Sequence, residues 1–155
     1  MSSAVECVIF TGLPGSGKST LYRERFAATH VHVSKDLWPK APKREARQQR
    51  MIAEALAAGS SVVVDNTNPT AAERALLIAI AREHGARVVG YFFDVTTRAA
   101  VARNANRIGR EKVPNVAIFT VAKRLQPQTY NEGFDEIFRV EIAEDRSLRI
   151  TEVLR

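Results

Sequence analysis

Gly12-Leu-Pro-Gly-Ser-Gly-Lys18-Ser19 fits the pattern G-x-x-x-x-G-K-[ST] at every fixed position. Glycines let such a loop wrap closely around phosphate oxygens, with its N–H groups pointing inward at the start of a helix. Lys18 then brings a positive charge to the β- and γ-phosphates, and the Ser19 hydroxyl suits a magnesium ion. On this reading Gly12, Pro14, Gly15, Ser16, Gly17, Lys18, Ser19 and Thr20 bind ATP, with Mg2+ as its companion ion.

Three further segments carry groups of the right type for the rest of a phosphoryl transfer. Val33-Ser-Lys-Asp36-Leu-Trp38 follows a short β-branched run. In an open α/β sheet, ligands sit beyond the carboxyl ends of the strands, which places Asp36 at the same crevice as the phosphate loop. A carboxylate there either accepts a hydroxyl proton as the oxygen attacks phosphorus, or caps a helix. Position alone leaves both readings open. Val64-Asp65-Asn66-Thr67-Asn68-Pro69 ends a second apolar run with an aspartate, the usual place for a residue that helps hold a magnesium water shell. The polar groups after it suit substrate binding. A loop that merely caps the next helix explains Asn68 and Thr70 but not Asp65.

The third segment is Arg103-Asn-Ala-Asn-Arg107-Ile-Gly-Arg110-Glu-Lys112-Val-Pro114. Arginines three and four residues apart share a helix face, and Gly109 with Pro114 marks a mobile connector. A lid of this kind, over about 103–115, brings guanidinium groups to the transferring phosphoryl and keeps water out. An exposed basic helix is the plainer alternative. His30, His32 and His84 lack metal-ligand spacing and read as structural.

These groups must be positioned by elements of alternating type. Val5–Thr11, Val31–Val33, Ser61–Val64 and Arg87–Phe93 read as strands, and Phe138–Ile142 and Leu148–Val153 as closing β-rich runs. Helices are expected from about Lys18 to Ala27, over Lys43–Ala58 before Gly59, over Thr97–Arg107 and over Asn115–Leu125. Another starts at the capping box Thr70-Ala-Ala-Glu73 and ends near His84. Continuous apolar strands separated by helices imply an α/β fold of three layers around a parallel sheet.

The 155 residues suit one domain, with neither repeats nor low-complexity tracts. At 45% hydrophobic and 26% charged, the chain is neither disordered nor fibrous. No apolar run reaches the roughly 18–20 residues that span a bilayer, so no membrane association is expected. The start, MSSAVECVIF, has no secretion signal, and the single Cys7 forms no internal disulfide; both favour a cytoplasmic protein. The chain carries 23 basic and 17 acidic residues, a net +6. Eleven of those 23 basic groups fall in residues 35–50 and 98–112, a clustering that suits a polyanion partner as readily as a solvated helix face.

Taken together, FTGLPGSGKST, HVSKD, VVVDNTNPT and the RNANR…VP segment resemble, in order, the kinase module of the polynucleotide 5′-kinases. Leu125-Gln-Pro-Gln-Thr-Tyr-Asn-Glu-Gly-Phe resembles the stretch from a proline to Glu-Gly-Phe that follows the lid helix in the animal enzymes. The resemblance implies a P-loop NTPase fold with a five-stranded parallel sheet in order 2-3-1-4-5 and a helical lid. It implies that Asp36 is the general base on a DNA or RNA 5′-OH, that Lys18 and Ser19 bind ATP and magnesium, and that Arg107 is the lid arginine. Arg103 and Arg110 would be further nucleotide contacts, and Asp65, Asn66 and Thr67 would line the acceptor site. Phage-type members carry a phosphate-binding arginine three residues after the base, where this chain has Pro39; Trp38 or the basic run Lys40–Arg50 would substitute. A phosphatase or ligase working with the kinase would be a separate polypeptide. A small-molecule or nucleoside acceptor, or a non-catalytic nucleotide switch, stays open as an alternative.

Overall fold

Successive side chains of a strand point to opposite faces, and β1 (Glu6–Thr11) shows what this requires of a central strand. Cys7 and Ile9 enter one apolar cluster with Val33, Ile52, Val62 and Leu77. Val8 and Phe10 enter another with Leu21, Phe26, Val63 and Phe93. Burial on both faces is what a parallel sheet covered by helices demands, and it explains the unbroken apolar runs. The computed structural model describes residues 5–155, and the side chain of Arg110 lies outside that description.

The elements follow as α1 (Lys18–Leu21), β2 (Val31–Val33), α2 (Arg44–Ala57), β3 (Val62–Val64), α3 (Ala71–Glu83), β4 (Arg87–Phe93), α4 (Thr97–Ala105), α5 (Asn115–Arg124), β5 (Glu136–Ile142) and β6 (Leu148–Val153). The sheet runs β2-β3-β1-β4-β5-β6. Its first five strands are parallel and take the expected 2-3-1-4-5 order. The sheet has six strands rather than five, because β6 joins the edge antiparallel to β5. Only Ala143–Ser147 link β5 to β6. A parallel return needs a crossover of about a dozen residues or more, so this link closes a hairpin instead.

Two helices differ from expectation. The segment after the glycine loop is α-helical only to Leu21 and continues as a π-helical turn over Tyr22–Phe26. Ala27 N–H donates to the Tyr22 carbonyl at 2.9 Å. The wider turn lets Phe26 reach the core against Phe10 while Tyr22 remains over β2. α4 stops at Ala105, two residues before Arg107. There the buried Asn104 amide accepts from Val113 N–H at 3.0 Å and donates to its carbonyl at 2.6 Å, clipping the 105–112 loop at its base. The capping box at Thr70 forms as read, with Thr70 Oγ1 accepting from Glu73 N–H at 3.2 Å.

Cys7 is fully buried, and burial pushes its thiol up to about 12, so it is an inert core residue. Among the described residues no helix is long and apolar enough to cross a membrane.

Candidate phosphate and acceptor site

The carboxyl ends of β1, β2 and β3 converge on one crevice, and each contributes a polar segment directly after its last strand residue. After β1 comes the glycine loop. Gly15 and Gly17 have φ of +80° and +102°, the left-handed region that side chains with a Cβ avoid. A Cβ on Gly15 would also lie 2.8 Å from the Ala100 carbonyl oxygen, so α4 seals the back of the loop. Gly12 N–H donates to the Thr67 carbonyl at 3.1 Å, tying the loop to the segment after β3.

Lys18 folds back across this loop. Its Nζ donates to the Gly12 carbonyl at 3.0 Å and to that of Leu13 at 2.7 Å. Burial pulls the ammonium down to about 8, and Arg107 pushes the same way, against the opposing pull of Asp65 and Asp36. Ser16 Oγ is buried with no hydrogen-bond partner among the described residues. A left-handed glycine cradle, an orphaned buried hydroxyl and a desolvated lysine fit a phosphate group, which would satisfy all three. Arg103 reaches in from α4, its Nε donating to the Gly15 carbonyl at 3.0 Å. Burial, then the neighbouring charges of Arg107 and Arg146, holds this guanidinium below its ordinary value.

Asp65 ends β3, and its buried carboxylate lies 2.8 Å from His32 Nε2. A carboxylate and a hydroxyl are hard-oxygen donors, so Asp65 and Ser19 have the chemistry to hold a magnesium ion completed by water and substrate phosphates. No group of three or more acidic, histidine or cysteine side chains gathers as a metal cage among the described residues.

Asp36 sits on a 3-10 turn over Lys35–Leu37, whose start is capped by Ser34 Oγ accepting from Asp36 N–H at 3.2 Å. The helix-capping role thus belongs to Ser34, and the Asp36 carboxylate is exposed with no ion-pair partner among the described residues. It lines a cleft of about 180 Å³ with Lys35, Arg44, Asn66, Thr67 and Glu73. Asn66 also braces the scaffold, accepting from Lys35 N–H at 3.0 Å and donating to Gln48 Oε1 at 2.6 Å. Trp38 does not line this cleft. It packs, partly buried, against the core cluster that contains Ile52, and the Arg47 guanidinium covers its ring at 4.7 Å. The side chain of Arg110, expected near the nucleotide, lies outside the described residues.

Sequence reading missed three participants: His32, read only as structural, Gln48 and the Arg74–Glu132 pair; Arg44 falls in the basic run Lys40–Arg50. Two of them carry a legible signal. Gln48 falls in the buried stripe of α2 with Ile52 and Leu56, and Arg74 in that of α3 with Leu77, Ile78 and Ala81. A polar residue at a core-facing helical position must have a buried partner.

A strand, a glycine loop and a helix, with a lysine over the loop and polar segments beyond two neighbouring strands, define the P-loop kinase fold. Residues 7–128 match the AAA domain family, and the chain belongs to it. It is 30% identical over 139 residues to a bifunctional polynucleotide phosphatase/kinase of Schizosaccharomyces pombe, covering 87% of this chain and 33% of that protein. The chain therefore spans about a third of the length of that relative. It is 27% identical over 179 residues to an L-seryl-tRNA(Sec) kinase of Methanococcus maripaludis, covering 94% of this chain and 69% of that one. Among solved structures it is similar to Chaetomium thermophilum Kti12 in complex with ADP-AlF3, with a TM-score of 0.73 and 17% identity over 90% of this chain and 92% of that one.

Proposed function

We propose that residues 1–155 act as one kinase domain that transfers the γ-phosphoryl group of ATP to the 5′-hydroxyl end of DNA or RNA. The observation that carries this reading is the Asp36 carboxylate, without an ion-pair partner among the described residues and set in a cleft with Arg44, Asn66 and Thr67 at the carboxyl end of the sheet, where the Lys18 loop also lies. Asp36 takes the proton of the acceptor hydroxyl as its oxygen bonds to the γ-phosphorus, and the bond to the β–γ bridging oxygen breaks to release ADP. Lys18 and Arg103 neutralise the phosphate oxygens at the loop. Arg107 completes the charge when the 103–115 segment closes as a lid over its Asn104 clip. Mg2+, which Ser19 and Asp65 would hold, would supply further neutralisation of the phosphate charge. The basic run along α2 suits a polyanionic acceptor.

A second reading, transfer to another hydroxyl acceptor such as a small molecule or nucleoside, draws on the L-seryl-tRNA(Sec) kinase relative. One assay separates them. The protein is incubated with γ-labelled ATP, magnesium and a panel of 5′-OH DNA and RNA oligonucleotides, nucleosides, sugars and seryl-tRNA. Label on oligonucleotide 5′ ends supports the first reading and reports the preferred strand; label confined to another acceptor overturns it.

The lowered Lys18 gives a pH prediction. At neutral pH the ammonium is charged and attracts ATP. As pH rises through about 8 the free protein loses that charge, while bound phosphates hold it on. ATP affinity is therefore expected to be flat between pH 7 and 7.5, then to fall by about tenfold per unit beyond pH 8. Titration calorimetry with wild type and Lys18→Met checks this, since the variant should bind weakly with no such slope. A wild-type affinity constant to pH 9.5 contradicts the assignment.

A further inference from the structure

The His32 ring stands between the phosphate loop helix and Asp65. Its Nε2 lies 2.8 Å from Asp65 Oδ2, and Asp65 is 6% exposed. A carboxylate only accepts, so the histidine N–H is the donor. Tyr22 stacks on the other side of the ring, with centroids 4.1 Å apart and planes 22° from parallel. Tyr22 is itself fixed, because its hydroxyl donates to the His30 carbonyl at 2.8 Å. The residue belongs to the π-helical turn that continues α1, so the helix that begins at the phosphate loop also sets the plane of the histidine. Single π-turns inside helices occur frequently at functional sites.

Asp65 has few other restraints. Its N–H donates to the Val33 carbonyl at 2.8 Å, and its Oδ1 makes no hydrogen bond among the described residues. Its charge favours the protonated form of Lys18, against the larger effect of burial. A buried carboxylate without a donor is costly, so its rotamer follows whichever donor reaches it. His32 supplies that donor at Oδ2 and leaves Oδ1 available.

We propose that His32, oriented by Tyr22, is a positioning residue that holds Asp65 in the rotamer needed to receive the magnesium water shell together with Ser19. This rests on the reading of Asp65 as part of the magnesium site. Partners of metal-holding side chains typically contribute 10–100-fold to metal affinity or activity, which sets the expected scale.

The test measures ATP affinity by calorimetry in EDTA and again in millimolar Mg2+, for wild type, His32→Ala, His32→Gln and Tyr22→Leu, with thermal melting beside it. Wild type is expected to bind more tightly with magnesium. His32→Ala is expected to match wild type in EDTA within about twofold and to lose roughly 10-fold or more of the magnesium gain. His32→Gln, whose amide N–H can replace Nε2, is expected to restore most of it. A purely structural histidine would instead weaken ATP binding equally in both buffers, with no rescue by glutamine. A full magnesium gain in His32→Ala overturns the proposal. If that variant does not fold, a full gain in Tyr22→Leu overturns it. No magnesium gain in wild type overturns the Asp65 reading itself, and this inference with it.

Discussion

Replacing Asp36 with asparagine is expected to lower the rate of phosphoryl transfer by roughly 10²–10⁴-fold, with ATP affinity at pH 7 within about twofold of wild type. Asparagine keeps the shape of the side chain and removes its capacity to take a proton. The fold has little to lose, because the carboxylate is exposed and the turn that carries it is capped by Ser34. The stability change should therefore stay within about 0.5 kcal/mol, the range of surface substitutions. Binding and chemistry separate for the same reason: the glycine loop is built from β1, α1 and α4, and its contacts do not include Asp36. Single-turnover transfer measured beside calorimetric ATP binding and a thermal melt distinguishes the outcomes. A rate within threefold of wild type removes Asp36 as the base. Loss of ATP binding in equal measure would reassign it to the nucleotide side.

What the sequence reveals of this architecture divides by the range of the interaction. The glycine loop is legible because its conformation is local: Gly15 and Gly17 take the left-handed backbone that their spacing anticipates. The Thr70–Glu73 capping box is legible for the same reason. The strands β1, β3 and β4 follow from apolar runs buried on both faces, and the short β2 and mixed β5 from their β-rich composition, whereas β6 is recognisable as β-rich without its partner. Its antiparallel register is decided by the short link from Ile142 to Leu148. His32 and Asp65 are 33 residues apart, and neither position announces the other. They meet because β2 and β3 pair in parallel with Val33 opposite Val64, which brings the ends of both strands side by side. Trp38 illustrates the reverse. An aromatic residue after a candidate base suggests stacking on a nucleotide, yet Arg47 of α2 lies over its ring. Arg44, three residues earlier on the same helix, faces the cleft instead.

The largest loss of stability is expected from Glu132→Ala, a residue outside the cleft. Arg74 is fully buried in α3. Its Nε and Nη2 donate to the two oxygens of Glu132 at 2.7 and 2.9 Å, and its remaining donors reach the carbonyls of Asn68 at 2.9 Å and Pro127 at 3.3 Å. Glu132 also accepts from Thr129 N–H at 2.9 Å, closing a capping box on its own short turn. Removing the carboxylate strands a guanidinium away from water, and breaking a buried pair in this way costs about 3–5 kcal/mol. Domains of this kind have roughly 5–15 kcal/mol in total, so the melting temperature should fall by on the order of 10 °C. The exposed Arg82–Asp135 pair gives the contrast, since Asp135→Asn should cost about 1 kcal/mol or less after solvent screening. Joint replacement of Arg74 by Met and Glu132 by Leu should recover much of the loss, because no charge is then left unpaired. The pair also explains how the stretch around Glu132 serves the site. Arg74 holds the carbonyl of Asn68, which adopts a φ of +40° and anchors β1 through Asn68 Nδ2 donating to the Phe10 carbonyl at 2.8 Å. Loosening that anchor frees the segment from Asp65 to Asn68 against the glycine loop. Glu132→Ala should thus lose transfer activity at temperatures where melting shows it still folded, and the joint variant should lose activity despite its recovered stability. Chemical denaturation of the three variants beside their transfer rates decides it; a Glu132→Ala loss below 1 kcal/mol would mean that the buried arginine finds another partner.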